Sequence, residues 1–432
     1  MIARISRKTH SLPAFLIFSA VFILFPLLCA RPGSLFASEQ TKIAKAGKMM
    51  EEGNYDKAIE IVDGLIKKEP EYLDSYTIKI KALVAQKKYI VAQDTYDQML
   101  ALQKGDFLPA LAALSAGVIK ESFSDKSFFV RGSAALALGD VGGKSALKPL
   151  QFLLNDQFDI VKVRALEAMG NMNDKDAVPV LQGMAGDKNY LVRSAAVESL
   201  AKLDDRSLID VMYKDLSDKS WNVRARAAEV LGRIGDAGAV PYLKKILRDE
   251  NQYVRVRVAE ALARCGDKDV LSIFEDTIQS AEWSDRVRSA YSLLILGEER
   301  SALNTLAQAM RQKDWKVRVQ AAEMLGKSKK EAALGILEKY QNDDRWEVQF
   351  AVAKALVDLG DKSAASQFKK LLDSEDAEVR ANSASSLGLI GSNDDVPYLR
   401  KALKDTDGRV RVQSAKAIIQ IMQRILTTDS GK

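Results

Sequence analysis

The 432-residue chain has one histidine, His10, and two cysteines, Cys29 and Cys265. His10 and Cys29 both fall within the first 37 residues, which read as a leader. The remainder then has no histidine and a single thiol. That excludes histidine general bases, Ser–His and Cys–His nucleophile pairs, His-ligated metals and an intrachain disulfide. Cys265, near the end of an inner helix, is expected to be a small buried thiol. There is no phosphate-cradling glycine loop, no cysteine-pair metal motif and no nucleophile elbow, so neither a catalytic residue, a metal site nor a cofactor is expected. Net charge is scarce too. The formal charge is +6, but Arg4, Arg7, Lys8 and Arg31 precede Ser38 with no acid among them. Without them 60 basic residues face 58 acidic ones, and so balanced a chain has no broad electrostatic case for nucleic acid.

Only one long apolar run exists, Leu12 to Ala30, broken by Ser19 and Pro26. Basic residues precede it, and small residues around Ala37 and Ser38 follow it. The pattern reads as a secretory signal peptide over residues 1–37, cut after Ala37. The alternative is an uncleaved membrane anchor through residues 12–30, about long enough for a ~30 Å hydrocarbon layer but weakened by Pro26. Leu28 before Cys29 is too bulky for a lipoprotein signal. Either way the body is expected outside the cytoplasm, periplasmic or secreted, or tethered to the membrane.

What fills the rest is repetition. An anchor falls at Val130, Val161, Val192, Val223, Val254, Asp285, Val317, Val348, Val379 and Val410, at steps of 31 residues with a single 32. A fixed period of this length signals a solenoid whose units touch only their neighbours. Each unit reads as an outer helix, a short turn and an inner helix. Pro179, Pro241 and Pro397 fit the first turn of outer helices, where a missing N–H costs nothing. On the inner helix Val223, Ala227 and Leu231 share one face, and a mid-helix alanine (Ala228, Ala259, Ala290 and their equivalents) allows close helix contact. Glycines twelve past the anchor, Gly142, Gly235, Gly266, Gly297, Gly360 and Gly391, are natural stops.

Before the array, Gly53-Asn54-Tyr55, Ala58 and Pro70 are echoed 34 residues on by Tyr89 and Ala92, with Lys87 and Lys104 replacing the glycine and proline. Residues 38–105 thus resemble two tetratricopeptide repeats. Two such repeats rarely stand alone, so they are expected to cap the array over residues 106–426. Residues 427–432 are expected as a disordered tail.

Position −5 from the anchor holds Asp125, Asp156, Asp187, Asp218, Asp249, Asp343 and Asp405, and position +1 is mostly basic. This Asp…Val-Arg…Ala…Leu-Gly pattern resembles HEAT repeats of the phycobilisome-lyase-like type over about 300 residues. The resemblance implies an all-α solenoid, a right-handed superhelix with inner helices on its concave side. It also implies ladders from Asp125, Asp187, Asp218, Asp249 and Asp405 with Arg131, Arg193, Arg224, Arg255 and Arg411, joining neighbours. Breaks at Ser280, Asp285, Gln312 and Ser374 predict weaker ladder contacts around residues 280–320. At about 9–10 Å per unit the array would form an open arc of roughly 100 Å.

Two surfaces are candidates for binding. Phe128, Tyr190, Trp221, Trp283, Trp315 and Trp346, all two residues before their anchors, are expected as an aromatic rim of the concave groove. Arg164, Arg226, Arg257 and Arg288, three past the anchor, are expected as a basic strip. The expected function is that of an exported, non-catalytic scaffold holding a protein or peptide. The alternative is an enzyme of the lyase or deoxyhypusine-hydroxylase branch that shares the repeat. The hydroxylase's metal sites use His–Glu pairs, which this chain lacks.

Overall fold

A computed structural model describes residues 35–102, 107–207, 209–361 and 364–429. Residues 1–34, with the expected anchor, lie outside them, while the expected cut after Ala37 falls in the first helix, Leu35–Glu51. Among the described residues every regular element is a helix, and none is long and apolar enough to cross a membrane.

Ten units follow one another. Their inner helices are Phe128–Val141, Asp159–Asn171, Tyr190–Lys202, Trp221–Ile234, Gln252–Arg264, Trp283–Leu296, Trp315–Lys327, Trp346–Asp358, Ala377–Ile390 and Gly408–Asp429, belonging to units 1 to 10. The last runs to Asp429, so residues 427–429 are helix and not tail. Its apolar stripe (Ile418, Ile421, Met422, Ile425) carries it past the end of the repeat. From unit 2 onward the outer helices are shorter, and Pro179, Pro241 and Pro397 sit in their first turns. Position +12 takes left-handed backbone in seven units. Glycine supplies it at Gly235, Gly266, Gly297 and Gly360, whereas Asn173, Asp204 and Lys329 adopt it at the cost of some strain. Gly142 and Gly391 are not left-handed. Helix ends there are tight for another reason, since a Cβ would meet the carbonyls of Leu138 and Leu387 at 2.6 and 2.5 Å.

A different glycine sets the stacking. Position +9 faces the next unit, and a Cβ on Gly139, Gly170, Gly232, Gly326 or Gly388 would lie under 3.0 Å from Ala168, Ser199, Ala261, Ala355 or Ala417. Junctions 1–2, 2–3, 4–5, 7–8 and 9–10 are therefore backbone-close. Ala201, Ala263, Leu294 and Val357 hold that position elsewhere. We expect Gly232→Val to separate units 4 and 5 and cost about 1–3 kcal/mol, as overpacking does. A urea melt checks this, and unchanged stability would mean the junction relaxes freely.

The array does not end as an open arc. The unit 10 inner helix packs against the outer (Leu108–Glu121) and inner helices of unit 1. Lys416 Nζ lies 3.3 Å from Asp140 Oδ2, and a Cβ on Gly408 would lie 2.8 Å from Val130 Cγ2. Residues 408 and 416 meet 130 and 140 in ascending order, so the two helices run parallel, as consecutive inner helices do. Each inner helix thus touches the next around a complete circuit, and the ten close into a ring. Spacing of about 9–10 Å between axes gives a circle roughly 30 Å across and an opening of about 20 Å between helix surfaces.

The N-terminal helices Leu35–Glu51, Tyr55–Lys68, Leu73–Ala85 and Tyr89–Leu102 pack in sequence, burying Ala58, Val62, Leu65 and Ala92. Lys87 is left-handed where the first copy has Gly53, so the same turn forms despite the substitution. The later helices lie on Leu108–Glu121, where Gly117 makes room for Val84. Lys404 of unit 10 reaches Asp97. This segment therefore covers unit 1 and touches the far end of the array.

Candidate functional site

Inner-helix burial divides by angle. Positions 0, +4, +7 and +11 point to the core, and +1, +5 and +9 to neighbouring units. The remaining stripe, −1, +3, +6 and +10, is open apart from Ala195, Ala351 and Lys416 and lines the ring.

The ladder residues lie on the flank between units. Arg131 donates from Nε and Nη2 to Asp156 at 2.6 and 2.8 Å, and from Nη1 to the Asp125 carbonyl at 2.8 Å. Arg224 does the same with Asp249 (2.7 and 2.9 Å) and the Asp218 carbonyl (2.8 Å). Arg380 pairs with Asp405, and Arg318 with Asp343 and Asp344. Each arginine thus ties its own preceding loop to the acid of the following unit, while the acid's Oδ1 accepts the amide two residues on. The hydrogen bond from Arg224 holds the Asp249 carboxyl below the usual carboxylate range, against burial that would raise it.

Several expected pairs are absent. Arg193 takes Asp215 (2.7 and 3.0 Å), so the Asp218 carboxylate only caps the Ser220 amide. Asp125 and Asp187 likewise receive the Ser127 and Asn189 amides. Ser280 leaves Arg255 bonding only the carbonyls of Asp249 and Glu250. Arg286 reaches Gln308 at 3.3 Å, and Arg411 of the last unit bonds the carbonyls of Asp405 and Thr406. Junctions 5–6, 6–7 and 8–9, the last with Gln349 bonding the Asp343 carbonyl, consequently lack both a ladder carboxylate and a glycine contact, although Arg288 bridges 5–6 to Glu260.

The six aromatics do not form one rim. All begin inner helices, but position −2 lies on the same side as +9 and faces along the stack. Phe128 stacks on Phe158 of the next unit (4.8 Å) and Trp221 meets Tyr253 edge-on (5.5 Å). Trp315 takes Arg345 over its face at 5.2 Å, and Arg286 covers Trp283 at 4.0 Å. Tyr190 is half-buried, and only Trp221 and Trp346 are substantially exposed.

One residue over lies what the sequence reading missed. Phe129, Ile160, Leu191 and Tyr253 occupy −1 in units 1, 2, 3 and 5 and are 39–58% exposed. Unit 4 has Asn222 there, with exposed Trp221 beside it. Together they make an apolar arc on the mouth where inner helices begin. Units 6 to 10 complete that mouth with Ser284, Lys316, Glu347, Glu378 and Arg409.

The +3 arginines are not a free basic strip. Arg164 pairs with Glu167 (2.8 Å), Arg226 with Glu198 and Glu229 (3.6 and 3.3 Å), and Arg257 and Arg288 both with Glu260 (2.9 and 2.7 Å). Glutamate at +6 sits one turn along the same stripe and neutralises them. Cys265 is half-buried, and burial ahead of nearby Asp236 and Asp267 pushes its thiol up to about 11, which keeps it protonated at neutral pH. No group of three or more His, Cys, Asp or Glu among the described residues is placed to hold a metal.

Comparison with known proteins agrees with this architecture. The HEAT repeats family matches residues 148–216, 209–295 and 335–419, more than half of the chain, and the PBS lyase HEAT-like repeat matches 130–156. No curated protein matches in sequence. Similar solved structures include the complex of CpcE and CpcF of phycocyanin lyase from Nostoc sp. PCC7120, at 18% identity and TM-score 0.38, over 56% of this chain and 93% of that one. Human deoxyhypusine hydroxylase gives 20% identity and TM-score 0.28, over 58% and 97%. YibA of E. coli gives 21% and 0.33, over 60% and 98%. With ten units in register and the family match across most of them, the chain belongs to the HEAT-repeat proteins, and its residues 130–156 match the phycobilisome-lyase-like form of the repeat.

Proposed function

We infer that this chain is an exported, non-catalytic scaffold that holds a protein or peptide at the mouth of its ring. The observation that carries this is the apolar arc from Phe129 to Tyr253. Four of the first five units expose a large apolar side chain at −1, and unit 4 sets exposed Trp221 beside them, on one edge of an inner surface whose arginines are largely ion-paired, and such patches mark interaction sites. An opening of about 20 Å admits an extended segment or a single helix of about 10–12 Å diameter. Placement outside the cytoplasm rests on the basic-then-apolar leader. N-terminal sequencing of the native protein tests it: a start at Ser38 means release, and retention of Met1 means a tether or no export.

Photo-crosslinkers at Leu191 and Tyr253 test the surface, with outer-helix Tyr398 as control. We expect discrete protein adducts from the two rim positions and few from Tyr398, and their loss in Phe129→Ser/Ile160→Ser. Equal adducts at all three positions would remove the case for the rim.

A further inference from the structure

A recess opens in the inner wall between units 5 and 7. Its floor is the unit 6 helix, where Tyr291 and Ile295 lie four apart at +6 and +10, with Met324 of unit 7 beside them. Ile295 is exposed. Cations flank this strip. Arg264 of unit 5 has no carboxylate within 4 Å among the described residues, and its guanidinium lies 5.9 Å from the centre of the Tyr291 ring. Lys327 of unit 7 has only Glu323, at 3.9 Å on an open surface. Arg288 enters from above, sharing Glu260 with Arg257. The other lining acid, Glu229, is already engaged by Arg226 and Arg233. The recess therefore carries unmatched positive charge on both sides of an apolar floor.

We propose that this recess binds an acidic peptide segment, an apolar residue on Tyr291 and Ile295 bracketed by carboxylates on Arg264 and Lys327. The two cations stand on helices two units apart, about 18–20 Å by axis spacing, and Arg264 leans inward to Tyr291, so side chains i, i+2 and i+4 of an extended chain, which share one face over about 13 Å, reach both cations and the floor between them. The segment is thus of the form acid, one residue, large aliphatic, one residue, acid. A pairing of this kind fixes register and polarity through its charges and adds contact area through its centre. It rests on the reading above that the ring holds protein, and it names what the inner wall selects.

The test uses the purified full chain and a fluorescein-labelled peptide with Glu, Leu and Glu at those spacings, followed by anisotropy. We expect saturable binding that weakens as salt rises, about tenfold loss for the peptide with both Glu changed to Gln, and a comparable loss for Arg264→Ala/Lys327→Ala. Both side chains are exposed, so that variant should keep its melting temperature. Ile295→Ser supplies a second, charge-independent loss. No saturable binding, equal binding of the Gln peptide, or equal binding by the double variant would each overturn the proposal. If it falls while crosslinks at Leu191 and Tyr253 persist, the protein-holding reading stands alone. If the crosslinks vanish as well, both fall.

Discussion

Asp249→Ala should destabilise the ring by about 3 kcal/mol, and Asp218→Ala by about 1, although the two residues hold the same place in the repeat. Arg224 is only 10% exposed and gives Asp249 two of its donors. Deleting that acid leaves a buried guanidinium with two carbonyls and a solvated Glu250 at 3.5 Å. Asp218 lacks the equivalent partner because Arg193 binds Asp215, so its loss costs little more than one amide hydrogen bond. Urea melts compare the two, and hydrogen exchange in units 4 and 5 shows whether the damage is local, as nearest-neighbour stacking requires. Equal losses would mean the ladder is interchangeable after all. The same pair shapes the acid limb. A carboxyl held below its unfolded value of about 3.9 contributes stability in full above that pH and loses it as pH falls through the folded value. The wild type should therefore weaken below about pH 4 more steeply than Asp249→Ala.

That contrast shows where the sequence was readable. The 31-residue period, the inner face of Val223, Ala227 and Leu231 and the prolines opening outer helices are local, and each survives translation into coordinates. The Asp–Arg pattern was legible as a class but not by pair, because a carboxylate three residues earlier, Asp215, reaches the same guanidinium. The basic strip was misread although its answer was in view: Arg226 with Glu229 and Arg257 with Glu260 stand one turn apart. The aromatic rim failed by angle. Two residues before the anchor is about 100° away from one residue before it, which turns Trp221 toward unit 5 and leaves Phe129 and Leu191 on the open face. Closure has no local signature. It arises from ten small rotations added together, and the residues that seal it look ordinary until the ends meet.

Opening that seal is the second large effect to expect. Lys416 is buried between Asp140 of unit 1 and Ser385 of unit 9, and Gly408 has no room for a side chain against Val130. Lys416→Glu sets a carboxylate against Asp140, and Gly408→Leu wedges the helices apart. Apolar contact between residues 408–425 and the unit 1 helices resists each change alone, so the double variant is the decisive one. Junctions 5–6 and 6–7 lie across the ring from this seam. Like junction 8–9 they have neither a glycine contact nor a ladder carboxylate, so bending concentrates at these three. We expect the double variant to keep its helix content in circular dichroism while its longest dimension in small-angle scattering rises from roughly 60–70 Å toward the ~100 Å of an open arc. Protease cutting should appear first at these junctions. Asp140→Lys combined with Lys416→Glu restores opposite charges and should recover much of the compact form. Scattering that stays unchanged in the double variant would show that the seam is held by apolar packing alone. Scattering as extended in the wild type as in the variant would show that the ring is not closed in solution.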